Sequence, residues 1–185
     1  MNMFNEDINQ RILDSRIIFL NGEINNETAN EIIMQLLYLD SINHNDIYLY
    51  INSNGRVVSQ GLAIIDCMNY INSKFVTICV GIAYSMAAVI LSCGTTGNRY
   101  ALPNSEVMVH QVSGGVEGKA EDINLSTKRI NKTNKKLTKL IADNSNLEYN
   151  SVFNNMKKDY FMDAKEAKKY GIIDKIIFKS NRLTD

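Results

Sequence analysis

Histidine is scarce in this chain: His44 and His110 are the only two in 185 residues. A metal site is therefore disfavoured, since one plausible histidine and no clustered carboxylates do not fill a ligand set. An excess of charge of either sign is also lacking. Lysine plus arginine and aspartate plus glutamate both number 20, so no global field points to nucleic acid or to a membrane surface. No apolar run reaches the ~18 residues that a membrane span needs. The three cysteines, Cys67, Cys79 and Cys93, lie singly inside apolar runs. Without a C-x-x-C pair they argue against a metal knuckle or redox motif, and an odd count of buried-looking thiols fits a reducing compartment. Met1 to Asp7 offers no basic region followed by an apolar one and does not read as a signal peptide. Proline occurs once, amid abundant Asn, Ile and Lys, and no function follows from that bias.

What is present is material for a core. Hydrophobic residues make up 45% of the chain, which fits one domain over residues 1–185. Residues 16–20 and 47–51 read as strands, with Asn21-Gly22 and 52–56 as turns. Ala29, Ile32, Ile33, Leu36 and Leu37 have helical spacing, with Thr28 and Glu31 fitting a capping box and a start one turn earlier as the alternative. A second amphipathic helix spans 57–71. The β-branched run Phe75 to Val80 reads as a buried strand, 86–93 as a buried helix, and 100–102 and 107–110 as short strands. A link at 113–118 precedes a long helix from about 121 to 144, whose acidic start and following lysines suit the helix dipole. Those lysines read as a solvated face. The apolar stripe Ile130, Leu137 and Ile141 and the helix's length suggest packing on another subunit. Residues 163–171 form a short helix stopped by Gly171, and 172–178 close the core. This alternation indicates a layered α/β fold with parallel crossovers.

One place in this pattern has chemical use. Ser85 sits where strand 75–80 and Gly81 give way to an apolar helix. The first-turn N–H groups of a helix lack intrahelical partners and carry partial positive charge, so an oxyanion formed beside Ser85 has the Met86 N–H as a donor. The plain alternative is that Ser85 caps the helix, and the G-x-S-x-G elbow is absent. A serine nucleophile needs a base. His44 lies in a polar loop and reads as exposed, whereas His110 ends a strand, where α/β sites are commonly built. The orienting carboxylate must come from eleven aspartates, and spacing does not choose among them.

Four blocks together resemble the ClpP family, the proteolytic subunits of ATP-dependent Clp proteases. They are Leu49-Tyr50-Ile51-Asn52-Ser53-x-Gly55, Gly81-x-Ala83-x-Ser85-Met86-Ala87, Leu102-Pro103-Asn104-Ser105 with Met108-x-His110-Gln111, and Asp159 to Asp174. The resemblance runs from about Asp7 to Phe178. It implies a crotonase-like α/β unit with the long helix as a protruding handle, and a Ser–His–Asp triad of Ser85, His110 and Asp159. The backbone N–H groups of Met86 and of the residue at position 56 would form the oxyanion hole. It also implies two stacked heptameric rings and a hexameric AAA+ ATPase that delivers unfolded chains and itself uses the ATP, so that this chain needs no cofactor. That ATPase would dock on Tyr48, Tyr50, Tyr70, Ile78, Tyr100 and Ile177, and substrate would pair as a strand along 113–118. The implied location is cytoplasmic, or an organelle of bacterial origin.

This sequence departs from the family pattern at several points. Asn54 and Arg56 replace proline and glycine in the oxyanion turn. Lys157-Lys158 replaces an acidic–arginine pair, Val112 replaces a proline, and most of the usual N-terminal axial loop is missing. These departures keep a weakly active ring subunit, dependent on a catalytic paralogue, as an alternative. A crotonase-type acyl-CoA enzyme is a second one, weakened by the lack of glutamate between Glu31 and Glu106.

Overall fold

The computed structural model describes residues 3–179. Seven strands form a single mixed sheet: β1 (Ile17–Ile24), β2 (Ile47–Arg56), β3 (Phe75–Tyr84), β4 (Arg99–Ala101), β5 (Glu106–Val109), β6 (Tyr160–Asp163) and β7 (Lys175–Ile176). Strands β1, β2, β3, β4 and β7 lie side by side and parallel. β3 then forks. Its first half pairs with β4 through Thr77, Ile78 and Cys79, and its second half pairs with β5 through Ile82, Ala83 and Tyr84. Gly81, between the two halves, has φ +92°, a conformation open to glycine at little cost. β6 runs antiparallel to β5 and completes the second branch.

Strand alternation decides which face is covered. On β2, Ile47, Leu49 and Ile51 are buried while Tyr48 and Tyr50 are half-exposed, the period-two pattern of a sheet with one face packed. Helices α2 (Asn26–Ile42), α3 (Val58–Tyr70) and α4 (Met86–Ser92) form the covering layer. α2 lies against β1, α4 against β2 and β3, and α3 packs on both helices. Ile18, Leu20, Leu36, Leu49, Ile64, Ile90 and their neighbours make one continuous apolar core.

Several local expectations need correction. Asn21-Gly22 is no turn: β1 continues through it, with a register shift between Gly22 and Glu23. Residues 52–56 also stay in β2, because the Ser53 hydroxyl braces the segment. It donates to the Gly22 carbonyl at 2.5 Å and accepts from the Gly55 N–H at 3.0 Å. The capping box of α2 is Asn25 with Thr28, each side chain bonding the other's backbone N–H at 3.0 Å, so the helix starts one turn earlier than Thr28 and Glu31 suggest. β3 runs on through Gly81 to Tyr84. Helices α1 (Met3–Asp14) and α6 (Tyr149–Asn155) and strand β6 are additions. Of the stretch tested for a signal peptide, Met1 and Asn2 lie outside the described residues.

The long helix, α5 (Ala120–Asp143), has 24 residues and spans about 36 Å. Its fully buried residues, Asn134, Leu137, Thr138 and Ile141, all belong to its second half. Leu137 and Ile141 of the apolar stripe thus pack in the chain's own core rather than on another subunit, and most of the first half is exposed. α7 (Ala164–Tyr170) is capped by Asp163 and closed by Gly171, as its sequence indicates. Arg99, 6% exposed, joins this region to the sheet. It pairs with Asp174 at 2.6 Å and donates to the Asn144 carbonyl at the end of α5. Burial works against the Asp174 charge, but the hydrogen bonds and charge of Arg99 outweigh it and hold the carboxyl below its ordinary pKa.

Candidate active site

The ends of β3, β5 and β6 converge on one spot. β3 and β5 are in register at Tyr84 and Met108, and the next N–H, that of Ser85, donates to the Met108 carbonyl at 2.8 Å. Ser85 Oγ lies 2.8 Å from His110 Nε2. β5 and β6 pair Val109 with Tyr160, and one further step of this antiparallel register sets His110 opposite Asp159. His110 Nδ1 and Asp159 Oδ1 are 3.5 Å apart. That is an ion-pair distance, longer than an ordinary hydrogen bond. Contacts of this kind in substrate-free sites tighten as the reaction complex forms.

Ser85 does not cap α4: its side chain makes no capping hydrogen bond and is committed to His110 instead. Its backbone has φ +55° and ψ −120°, a strained conformation that costs of order 1–3 kcal/mol and persists where the surroundings over-determine it. The Met108 carbonyl and the buried helix α4 supply that restraint. Tyr84, next in the chain, donates its hydroxyl to Glu106 and meets Phe161 edge-on at 5.7 Å. The Glu106 hydrogen bond pushes the phenol up to about 12.

The end of β2 lies directly against this serine. A Cβ placed on Gly55 would stand 2.8 Å from the Met86 nitrogen and 2.6 Å from the Tyr84 carbonyl oxygen, so only glycine fits. Gly55 has φ +78° and Arg56 has φ +127°, which makes Arg56 a side-chain-bearing residue in a region that favours glycine. Its guanidinium pairs with Glu23, a partner that the sequence reading missed because it lies on the neighbouring strand. A pocket beside Ser85 and His110 has Val58, Val89, Leu137 and Ile141 among its walls. The segment after His110 is fixed on both sides. Gln111 N–H donates to the Met156 carbonyl at 2.7 Å, and Val112 N–H donates to the Asn134 side chain at 3.2 Å. The second bond is closed to a proline, which has no N–H, so Val112 gains an anchor on α5.

A family model described as Clp protease matches residues 2–180. The chain belongs to the Clp protease family. The mixed sheet with its helical layer agrees with the ClpP/crotonase fold, and membership brings the expectation of peptidase chemistry. The positions that the resemblance assigns to ATPase docking in a Clp protease fall largely together. Tyr50, Ile78 and Tyr100 are direct cross-strand partners on β2, β3 and β4, on the sheet face opposite α2 to α4. Tyr48 lies two residues before Tyr50 on the same face. Phe19 on β1 pairs with Tyr50, with ring centroids 5.5 Å apart, and extends this row by a residue that sequence reasoning did not select. Ile177 follows β7, its N–H bonded to the Ala101 carbonyl at 3.0 Å. Tyr70 is set apart at the end of α3, 81% exposed. His44 is exposed and bonded to Asp40 at 3.0 Å, in keeping with its reading as a loop histidine. Lys157 lies over the Phe153 ring at 5.4 Å, just ahead of Asp159. Among the described residues no group of three or more His, Cys, Asp or Glu is placed to hold a metal, and no helix is long and apolar enough to cross a membrane.

Proposed function

We propose that this chain is a serine endopeptidase, the proteolytic subunit of a Clp-type protease. The observation that carries the reading is the 2.8 Å approach of Ser85 Oγ to His110 Nε2, made by a serine whose hydroxyl leaves its own helix uncapped. His110 Nε2 accepts the hydroxyl proton as Oγ attacks a peptide carbonyl, and later returns it to the leaving amine. Asp159 orients the imidazole and stabilises its cation. The Met86 N–H, with that of Arg56, takes the oxyanion. The segment 113–118 pairs with the substrate backbone, which suits broad specificity.

Clp proteases generally act as rings beside ATPases, and we extend this to the present chain as two stacked heptamers served by a hexameric AAA+ ATPase. The largely exposed first half of α5 and the tyrosine row support those two contacts respectively. A second reading is a ring subunit of low activity that works beside an active paralogue. The positive φ of Arg56 in the oxyanion turn is the observation that favours it. A fluorophosphonate probe separates the two. Labelling of Ser85 in the wild-type protein, lost in Ser85→Ala, supports the peptidase. An unlabelled, folded wild-type chain overturns it.

A further inference from the structure

The pocket beside Ser85 has an apolar floor, and among the residues that line it Arg56 alone carries a permanent charge. The β1–β2 register sets Glu23 beside Gly55 and Ile24 beside Arg56, which brings a carboxylate to the guanidinium of this lining residue. The pair is open to water, the two side chains being 64% and 51% exposed. An exposed ion pair is weak and readily exchanged for another of the same chemistry. The positive charge of Arg56 attracts any carboxylate that comes within reach. A substrate carboxylate within reach of the Arg56 side chain therefore competes with Glu23 on nearly equal terms.

We propose that Arg56 is a specificity-determining residue, favouring peptides with a carboxylate side chain beside the scissile bond, and that Glu23 attenuates this preference by competing for the same cation. The inference rests on Ser85 being the reactive serine. Glu23 acts only through Arg56, so removing the two charges must shift selectivity in opposite directions, which a merely structural role for either residue would not do.

The test uses the intact protein and two peptidyl phosphonates, identical except for Glu or Gln next to the phosphonate. The rate of Ser85 modification is measured with each, so multiple turnover is not required. The Glu-to-Gln rate ratio should rise about fivefold in Glu23→Gln and fall about fivefold in Arg56→Gln. It should stay near wild type in Glu23→Asp and Arg56→Lys, and both shifts should shrink at 1 M salt. If Glu23→Gln fails to fold, the contrast between Arg56→Gln and Arg56→Lys decides. Ratios that stay within twofold of wild type, or move in the same direction in both charge-removing variants, overturn the proposal while leaving the peptidase reading intact. A wild-type Ser85 that reacts with neither phosphonate overturns both.

Discussion

Ser85 and His110 meet at 2.8 Å although 25 residues separate them, because β3 and β5 run parallel and end at the same level. The Ser85 main chain is tied to β5 by its own N–H, bonded to the Met108 carbonyl. The side-chain contact therefore inherits its precision from the sheet rather than from a flexible loop. His110 and Asp159 owe their approach to the antiparallel β5–β6 ladder in the same way.

This difference in closeness gives the first prediction. The serine–histidine contact is a made hydrogen bond, whereas the histidine–aspartate contact is 3.5 Å with Asp159 61% exposed. Ser85→Ala and His110→Ala should each remove peptide hydrolysis by several powers of ten. Asp159→Ala should cost about ten- to a hundredfold less than either. Steady-state kinetics on a fluorogenic peptide measures this order, and equal losses at all three positions would contradict it.

The turn at Ser85 was legible because it lies between two strong apolar signals, the β-branched run of 75–80 and the helix Met86 to Leu91. The long helix α5 was legible from its length and charge order. The partner of His110 was not, because Asp159 is chosen by the register of β6, a four-residue strand too short to announce itself by alternation. Position 159 was reached through resemblance alone. The bends at 22 and 55 were misread as turns for a related reason. A glycine beside asparagine signals a reversal locally, but whether the strand resumes depends on Ser53 reaching across to β1. Glu23 was missed because its value lies wholly in what stands on the next strand.

Asp40 offers a test of stability against pH. Its Oδ1 accepts from the Ser73 N–H at 2.9 Å, the Ser73 hydroxyl at 2.8 Å, the Asn72 N–H at 3.2 Å and His44 at 3.0 Å. Burial by itself would raise the pKa. The hydrogen bonds from Ser73 and His44 outweigh it and bring it down to about 2. A carboxyl depressed in the folded state stabilises the protein above its unfolded pKa of about 3.9, and that contribution is lost as pH falls towards 2. Asp40→Asn should therefore cost about 1–3 kcal/mol at pH 7 and much less near pH 2. Urea melts of both proteins across this range check it, and a gap that widens in acid would reverse the sign of the argument.

The exposed half of α5 gives a prediction on assembly. Ile123 and Leu125 are 41% and 55% exposed on the half of the helix that has no fully buried residue. If rings stack through this helix, Ile123→Asp with Leu125→Asp should yield smaller particles than wild type without changing the far-ultraviolet circular dichroism. Light scattering of the wild type should show a mass far above the 20.9 kDa of one chain. A wild-type monomer at micromolar concentration would remove the ring from the account.

Gly55 and Arg56 at the end of β2 supply the sharpest contrast, because these two neighbours respond oppositely to small changes. Arg56 holds φ +127° against the preference of any side-chain-bearing residue, a strain of order 1–3 kcal/mol. Glycine relieves it but loses more chain entropy on folding, about 0.5–1 kcal/mol. Arg56→Gly should thus leave stability equal or modestly higher. The catalytic contribution ascribed to position 56 is a backbone N–H, which glycine also has, so peptide turnover should change by less than about tenfold. Gly55→Ala adds only one methyl, yet that methyl meets the Tyr84 carbonyl oxygen at 2.6 Å and the Met86 nitrogen at 2.8 Å. Both are main-chain atoms that cannot rotate aside, and relief requires moving the Met86 N–H from the reacting carbon. Loss of one oxyanion donor lowers kcat by about 10²–10³, and Gly55→Ala should fall in that range even where circular dichroism shows it folded. Full turnover in Gly55→Ala would mean that the Met86 N–H is not the donor. A gain of about a hundredfold in Arg56→Gly would mean that the arginine had disabled the hole, and the low-activity ring subunit would then be the better account of this chain.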